Sequence, residues 1–401
     1  MNLFPLSERI LKVKPSPTVS LNARAAEMTR AGKPVVSLAV GETDFQTPQV
    51  IVDAAIASLN RGRTKYGAAG GGPELRKSIA DKLQRENKVS FSADQIVVGI
   101  GAKEILFHLM LSLLNEGDEV LIPAPYWVSY SDQVTAAGGI PVVVPMPQDF
   151  AKKPIQVKLI EQYATSKTVA IILNSPNNPS GYVLSESDLR ELGAMLCKKN
   201  WWIIADEIYE YLAFAKPHLS LLQLFPELSD RYILINGFSK GFAMTGWRVG
   251  YGAGPKPVMK LVQSLQSHSS TCLPAFIEDA AIVAIQKGFP LVQAQIQHLD
   301  RRRKLAIEEL GKIPGIRFNE PEGAFYVFLD LREVLDPGNG KKSLSSFEFA
   351  EMLLSEFYLA AVPGEAFGAP GFLRLSYAVS ESNLVEGAQR IKKAVEKIKL
   401  Q

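Results

Sequence analysis

The stretch NGFSKGFAMTGWRVGYG (236–252) sets Lys240 among Phe238, Phe242, Met244 and Trp247, with Arg248 eight residues on. An ammonium group in apolar surroundings loses hydration, so its pKa falls. A neutral amine is a nucleophile and forms Schiff bases with aldehydes. Arg248 offers a fixed cation that suits a phosphate. Gly237, Gly241 and Gly246, with the small Ser239, let the backbone come close to a ligand. Other groups have types that would complete such a site: Asp206 and Tyr209 in DEIYEY (206–211), and Asn178 in NSPNNPSG (174–181).

Short apolar runs, alternating with helical stretches, must position these groups. The runs are QIVVGI (95–100), EVLIPA (119–124), VAIILN (169–174), WWIIAD (201–206), YILING (232–237) and RVGYGA (248–253). Their nearly continuous apolar character is that of parallel strands covered by helices on both faces. The helices include EILFHLMLSLLNEG (104–117), stopped by Gly117, and ESDLRELGAMLCKKN (186–200), opened by Ser185 with Asp188 three residues later. Ligands of open parallel sheets bind outside the carboxyl ends of the strands. Three of those ends deliver Asn178, Asp206 with Tyr209, and Lys240 to one edge.

The last hundred or so residues change pattern. A long helix, LVQAQIQHLDRRRKLAIEEL (291–310), leads to GIRFNEPEGAFYVFLDL, a loop DPGNGKKS (336–343), a helix SSFEFAEMLLSEF and a strand pair around LAAVPGE and GFLRLSYAV. The expected division is an N-terminal segment (1–45) packing with the small domain, a large cofactor-binding α/β domain (46–295) and a small α+β domain (296–401). In the long helix, Asp300 can pair with Lys304, and Lys304 with Glu308, which makes the basic run a solvated face rather than a polyanion site.

Composition sets bounds. The 401 residues are 47% hydrophobic and 21% charged, an ordinary globular mixture. The apolar runs are far shorter than the ~18–20 residues of a transmembrane span. The N-terminus, MNLFPLSERILKVKPSP, is charged and broken by proline, unlike a signal peptide. Two cysteines, Cys197 and Cys272, and four scattered histidines give neither a disulfide framework nor a metal site. A net charge of +3 argues against nucleic acid as the main partner. The expectation is a cytoplasmic protein with no membrane, metal or nucleic-acid partner.

Each candidate group has a plain alternative. NNPSG is a turn sequence, an Asp after a strand is often a helix cap, and a lone lysine is ordinarily a solvated surface group. Their conjunction at one sheet edge shifts the reading. An amine for an aldehyde, a cation for a phosphate and an acid for a ring nitrogen together describe pyridoxal 5'-phosphate.

The segment GFSKGFAMTGWRVG (237–250) resembles the lysine signature of class I and II aminotransferases. AVGETDF (39–45), TKYG (64–67), PYWVSY (125–130), NSPNNPSG, ADEIYE (205–210) and LRLSYA (373–378) resemble, in order, blocks of the aspartate aminotransferase family, closest to its bacterial and plastid Iβ subgroup. The resemblance implies fold-type I: a large, mostly parallel seven-stranded sheet domain with a smaller α+β domain. It implies a homodimer with shared sites and ping-pong transamination between aspartate and 2-oxoglutarate, with prephenate as a further amino acceptor. An aromatic or alanine-type aminotransferase, or a C–S lyase of the same fold, is the alternative. A nicotinamide site is disfavoured because GIGAKE (99–104) has Glu104 where a third glycine belongs. A regulator on this fold would carry an added DNA-binding region, for which no room is expected at either end.

Carried over position by position, the resemblance makes Lys240 the cofactor's anchor and the shuttle of the α-proton. Asp206 would pair with the pyridinium nitrogen, and Tyr209 and Asn178 would donate to the ring's phenolate oxygen. Trp127 would stack on the ring, and both it and Asn178 would border the substrate. Gly101, Ala102 and Lys103 would cradle the phosphate at a helix N-terminus. Ser239 and Arg248 would complete that cradle, and Tyr66 would reach it from the neighbouring subunit. Arg374, in FLRLSY, would clamp the substrate's α-carboxylate with both fork nitrogens, helped by the backbone of Gly41. The stretch QSHSSTCLP (266–274) contains no arginine, so a distal carboxylate would fall to Lys103 and to Thr18 in KPSPTVS. Two departures stand out: Gly237, where another serine or small polar residue is frequent, and Thr43, where proline is common.

Overall fold

The structure is a computed structural model and describes residues 6–147, 150, 153–336 and 343–400. Strand β1 (Val36–Ser37) follows the helix Pro17–Arg30 and pairs in parallel with residues 359–360, which ties the N-terminal segment to the C-terminal part of the chain. The large sheet holds β2 (Ile96–Gly99), β3 (Glu119–Pro123), β4 (Ile140–Val144), β5 (Thr168–Asn174), β6 (Trp202–Asp206), β7 (Tyr232–Gly237) and β8 (Gly250–Ala253). Their spatial order is β2-β8-β7-β6-β5-β3-β4. The pairs from β7 to β4 are parallel, and β8 runs antiparallel to both β2 and β7.

Alternate residues of the central strands point to opposite faces, and both faces are buried. Ile171, Ile203 and Leu234 join one apolar core, while Ile172, Ile204 and Ile235 join the other. This is why the runs read as continuous rather than alternating. Six of the seven strands coincide with the predicted runs. The seventh, β4, is IPVVV, where Pro141 masks the pattern; a proline is tolerated because β4 is an edge.

Three local expectations need correction. Arg248 is not in a strand: it sits at φ +55° in the turn before β8. The helix after β2 spans Ala102–Leu113 and ends before Gly117, because Leu114 is already extended. In the long helix Phe289–Gly311, Lys304 bonds Asp300 at 2.8 Å as expected, but Glu308 is taken by Lys312 at 2.9 Å. The helix Glu186–Leu196 opens as predicted: Ser185 Oγ accepts the Asp188 N–H at 3.1 Å, and the Asp188 carboxylate accepts the Ser185 N–H at 2.9 Å.

A second sheet contains β9 (Arg317–Phe318), β10 (Tyr326–Asp330), β12 (Val362–Pro363) and β13 (Phe372–Ser376) in the order β12-β13-β10-β9, with β11 (Leu359–Ala360) forming the separate pair with β1. Because β13 lies between two antiparallel neighbours, Arg374 is an interior residue and not an edge-strand charge. Most of the predicted loop DPGNGKKS lies outside the described residues. Among the described residues no helix is long and apolar enough to cross a membrane, and no cluster of side chains suits a metal ion.

Candidate active site

A cavity of about 360 Å³ opens at the carboxyl ends of β5, β6 and β7, against the second sheet. It collects Lys240, Asp206, Tyr209, Asn178, Ser239 and Arg248 from these ends and the loops after them. Ala102, Lys103 and Trp127 form another wall, and Gly41, Arg374 and Thr18 close it from the N-terminal segment and β13. Of the residues singled out from sequence, Gly101 lies just behind the lining and Tyr66 lies elsewhere.

Lys240 Nζ donates to the Gly41 carbonyl at 2.5 Å. The aromatic rings around the amine differ from those expected. Phe238, Phe242 and Met244 are buried in the apolar core, and Trp247 donates its Nε1–H to Thr47 Oγ1. Tyr209 and Phe325, from distant parts of the chain, lie 5.9 and 5.8 Å from Nζ. Burial is the main cause that pulls the Lys240 pKa down to about 8. Arg374 and Arg248 push the same way, and Glu42 and Asp206 oppose them.

Asp206 ends β6, almost fully buried, with no cation in salt-bridge range among the described residues. Its Oδ1 accepts the Ile208 N–H at 3.2 Å, and its Oδ2 accepts the Tyr130 hydroxyl at 2.6 Å. Burial raises its pKa to about 6, and the Tyr130 bond holds it down against a larger rise. Tyr130 is a site residue that the sequence reading missed. Its only signal was its place three residues after Trp127, whose ring it meets edge-on at 5.3 Å.

Gly101 sits at φ +84°, and a Cβ there would lie 2.7 Å from Arg248 Nη2. Only glycine fits both the backbone and the approach. The helix Ala102–Leu113 starts beside this guanidinium, so free N–H groups and a fixed cation meet at one end of the cavity. Gly237 is explained as well: a Cβ there would lie 2.9 Å from Gly250 Cα, so a serine would have to push the β7–β8 backbones apart. Lys103 Nζ lies 4.8 Å from the Trp127 ring centroid, and burial, with Arg248 nearby, lowers its pKa.

Arg374 is 2% exposed and has no acidic partner among the described residues. Its Nη1 donates to Asn178 Oδ1 at 3.0 Å and its Nη2 to the Ala39 carbonyl at 2.9 Å, while Nε is buried without a partner. The guanidinium lies 4.4 Å from the ring centroid of Tyr326, whose hydroxyl is 3.1 Å from that of Tyr209. Asn178 Nδ2 points to the Tyr209 hydroxyl at 3.4 Å, so Asn178 joins the two ends of the cavity. Tyr326 was also missed; only the pairing of β10 with β13 brings it beside Arg374.

Tyr66 is 88% exposed and lies outside the cavity. Its loop is pinned, since the Gly67 N–H reaches Cys272 Sγ at 3.3 Å and the Gly70 N–H reaches Gln266 Oε1 at 3.0 Å.

The model of the family described as aminotransferase class I and II matches residues 33–391. The chain is 43% identical over 398 residues to a probable aspartate/prephenate aminotransferase of Aquifex aeolicus, covering 98% of this chain and 99% of that protein. It is similar in structure to the aspartate aminotransferase of Thermus thermophilus solved with maleate, at a TM-score of 0.91 and 37% identity, covering 98% of this chain and all of that one, which is 100%. An aromatic aminotransferase of Pyrococcus horikoshii is similar too, at a TM-score of 0.86 and 36% identity, covering 94% of this chain and 100% of the other. With its fold-type I architecture, the chain belongs to the class I and II aminotransferases and is itself an aminotransferase.

Proposed function

We propose that this aminotransferase carries pyridoxal 5'-phosphate on Lys240 and exchanges amino groups between aspartate and 2-oxoglutarate, with prephenate as a further acceptor. One observation carries the reading: among the described residues a buried guanidinium without an acidic partner and a buried carboxylate without a cationic one share a cavity with a lysine whose charged form is destabilised. Buried charges are retained where something pairs with them. Arg374 suits a substrate carboxylate and Asp206 a protonated ring nitrogen.

The residues present fit the cofactor. The close approach of Gly101 to Arg248 at a helix N-terminus suits a phosphate. Ala102, Lys103 and Ser239 border the same end. When bound, the cofactor supplies an aldehyde for the amine and a ring that withdraws electrons from the substrate's Cα. The chain supplies the rest. Asp206 holds a proton on the ring nitrogen through its charge. Tyr209 and Asn178 would hold the ring's oxygen, and Trp127 would lie against the ring. Arg374 and the Gly41 peptide fix the α-carboxylate, which aims the Cα–H at Lys240. Lys240 Nζ, as a free amine, would be the base that accepts the Cα proton and the acid that gives it back.

Aspartate is the favoured donor because Lys103, without an acidic partner among the described residues, lines the same cavity as Arg374, and so does Thr18. The relatives named for aspartate and for prephenate support this choice. A homodimer with Tyr66 crossing to the partner's site is part of the proposal. An apolar groove of about 840 Å³, bordered by Ile10, Val13, Phe107 and Val128, shares Lys103 and Arg248 with the cavity. The exposed apolar side of this groove, with Ile10 and Val13 of the N-terminal segment on its border, is the surface that a second copy would cover.

The test is direct. Borohydride should fix the cofactor on Lys240, and a panel of 2-oxo acids with aspartate, glutamate, alanine and phenylalanine as donors should rank aspartate with 2-oxoglutarate first. Label on another lysine, or alanine or phenylalanine outranking aspartate, would refute the respective half.

A further inference from the structure

We propose that Asn22 is a specificity-determining residue of this cavity, its carboxamide donating to the far carboxylate of a dicarboxylic substrate. The inference deepens the aspartate reading and rests on it. Asn22 lies four residues after Thr18 in the helix Pro17–Arg30, so the two share a face, and both line the cavity. The helix is held in place by Leu21 and Ala25, which pack into the core that also contains Phe328, Val362 and Phe367. That packing fixes where the Asn22 side chain stands.

Apart from Ser239, at the end proposed for the phosphate, and Lys103, the other polar side chains of the cavity have hydrogen-bond partners. Glu42 accepts from Thr245 Oγ1 at 2.7 Å, and Thr18 shares a hydrogen bond with Ser16 at 3.0 Å. Asn174 donates to the Asp206 carbonyl at 2.9 Å and accepts the Asn178 N–H at 2.9 Å. Asn178 and Tyr326 serve Arg374 and Tyr209. Asn22 differs: it is half-buried, and its amide has no hydrogen-bond partner among the described residues. Lys103, over the Trp127 ring and without an acidic partner among the described residues, is the matching cation.

A half-buried amide on the cavity wall can exchange water for a carboxylate and gains a charge-assisted hydrogen bond by doing so. A carboxylate has two oxygens and takes one ammonium and one neutral donor well. Lys103 alone draws any anion to this end of the cavity. Adding a donor fixed on a packed helix selects a planar carboxylate at a set distance. An aromatic side chain gains nothing comparable from the amide.

The probes are maleate, a dicarboxylate, and 3-phenylpropionate, a monocarboxylate with an aromatic end, as competitive inhibitors of the holoenzyme. Asn22→Ala should weaken maleate about tenfold, the low end for a hydrogen bond to a charged group because the site is only half-buried, and 3-phenylpropionate less than about threefold. Asn22→Asp sets a like charge against the ligand and should weaken maleate about a hundredfold. KM for aspartate should rise in both variants by more than kcat falls. Equal loss for the two inhibitors would overturn the proposal, because Asn22 would then only shape the mouth. So would an Asn22→Asp enzyme that still prefers maleate as strongly as the parent. If the parent enzyme itself binds 3-phenylpropionate more tightly than maleate, the aspartate reading fails, and the role of Asn22 falls with it.

Discussion

The Tyr130 hydroxyl donates to Asp206 Oδ2 across 2.6 Å, with both side chains buried. A hydrogen bond given to a carboxylate favours its charged form. Asp206 needs that help, because burial alone pushes its pKa up, to about 6 with the bond in place. In Tyr130→Phe the pKa should rise further, so the acid limb of the kcat/KM profile should move to higher pH. The loss at neutral pH should be about tenfold to a hundredfold, the worth of a hydrogen bond to a charged group. An acid limb that stays in place would show that Tyr130 only fills space.

Removing the charge should cost far more than removing its support. Asp206→Asn keeps the shape and the Tyr130 contact but cannot hold a proton on the ring nitrogen. Turnover should fall by about a thousandfold or more, with the cofactor still taken up. Near-normal turnover would remove Asp206 from the site.

Much of this site was legible because its chemistry lies at strand ends. Lys240, Asp206 and Asn178 each follow an apolar run, and a parallel sheet brings such ends together. What was hidden depended on pairing between distant segments. Tyr326 faces Arg374 only because β10 pairs with β13 in one register, with Phe328 opposite Arg374. The rings near the Lys240 amine were misjudged for the same reason. Phe238, Phe242 and Met244 are neighbours in sequence, yet they turn into the core, and Tyr209 and Phe325 take their place. Strand β4 was hidden by Pro141, which is harmless only at an edge, and edge position is not written in a single segment.

The lowered pKa of Lys240 predicts how the cofactor-free protein takes up pyridoxal phosphate. The neutral amine is the attacking form, so the initial rate should rise with pH through about 8 and level off above it. An ordinary lysine would still be gaining rate near its own pKa of about 10.4. Asp206 raises the Lys240 pKa, so Asp206→Asn should move this midpoint to lower pH. The absorbance change on mixing, followed across a pH series, measures it. A midpoint at the ordinary lysine value would contradict the desolvated amine.

Arg374 should govern every amino acid alike, because all carry an α-carboxylate. Arg374→Met removes the fork that also holds Asn178 Oδ1 and the Ala39 carbonyl. The fall in kcat/KM should be about a hundredfold or more for aspartate and phenylalanine both. A thermal measurement separates binding from folding. Maleate at a hundred times its Kd should stabilise the parent holoenzyme by about 2.7 kcal/mol, and should give Arg374→Met almost none of this. A variant that maleate still protects fully would show that the α-carboxylate binds elsewhere.

Tyr66 provides the test of shared sites. It is highly exposed, yet its loop is fastened by Cys272 and Gln266, so the ring is presented rather than loose. If it serves the partner, a site is built from Lys240 of one subunit and Tyr66 of the other. Mixing Lys240→Ala with Tyr66→Leu then gives hybrids with one doubly damaged site and one intact site. With random exchange about half of the dimers are hybrid, and one of the two sites in each is sound, so about a quarter of the parent activity should return. If Tyr66 acted within its own subunit, every site in the hybrid would carry one lesion and no activity would return. Activity should reappear only under conditions that let subunits exchange, such as brief dilution in mild denaturant. A chain that sediments as a monomer at assay concentration would exclude the shared site altogether.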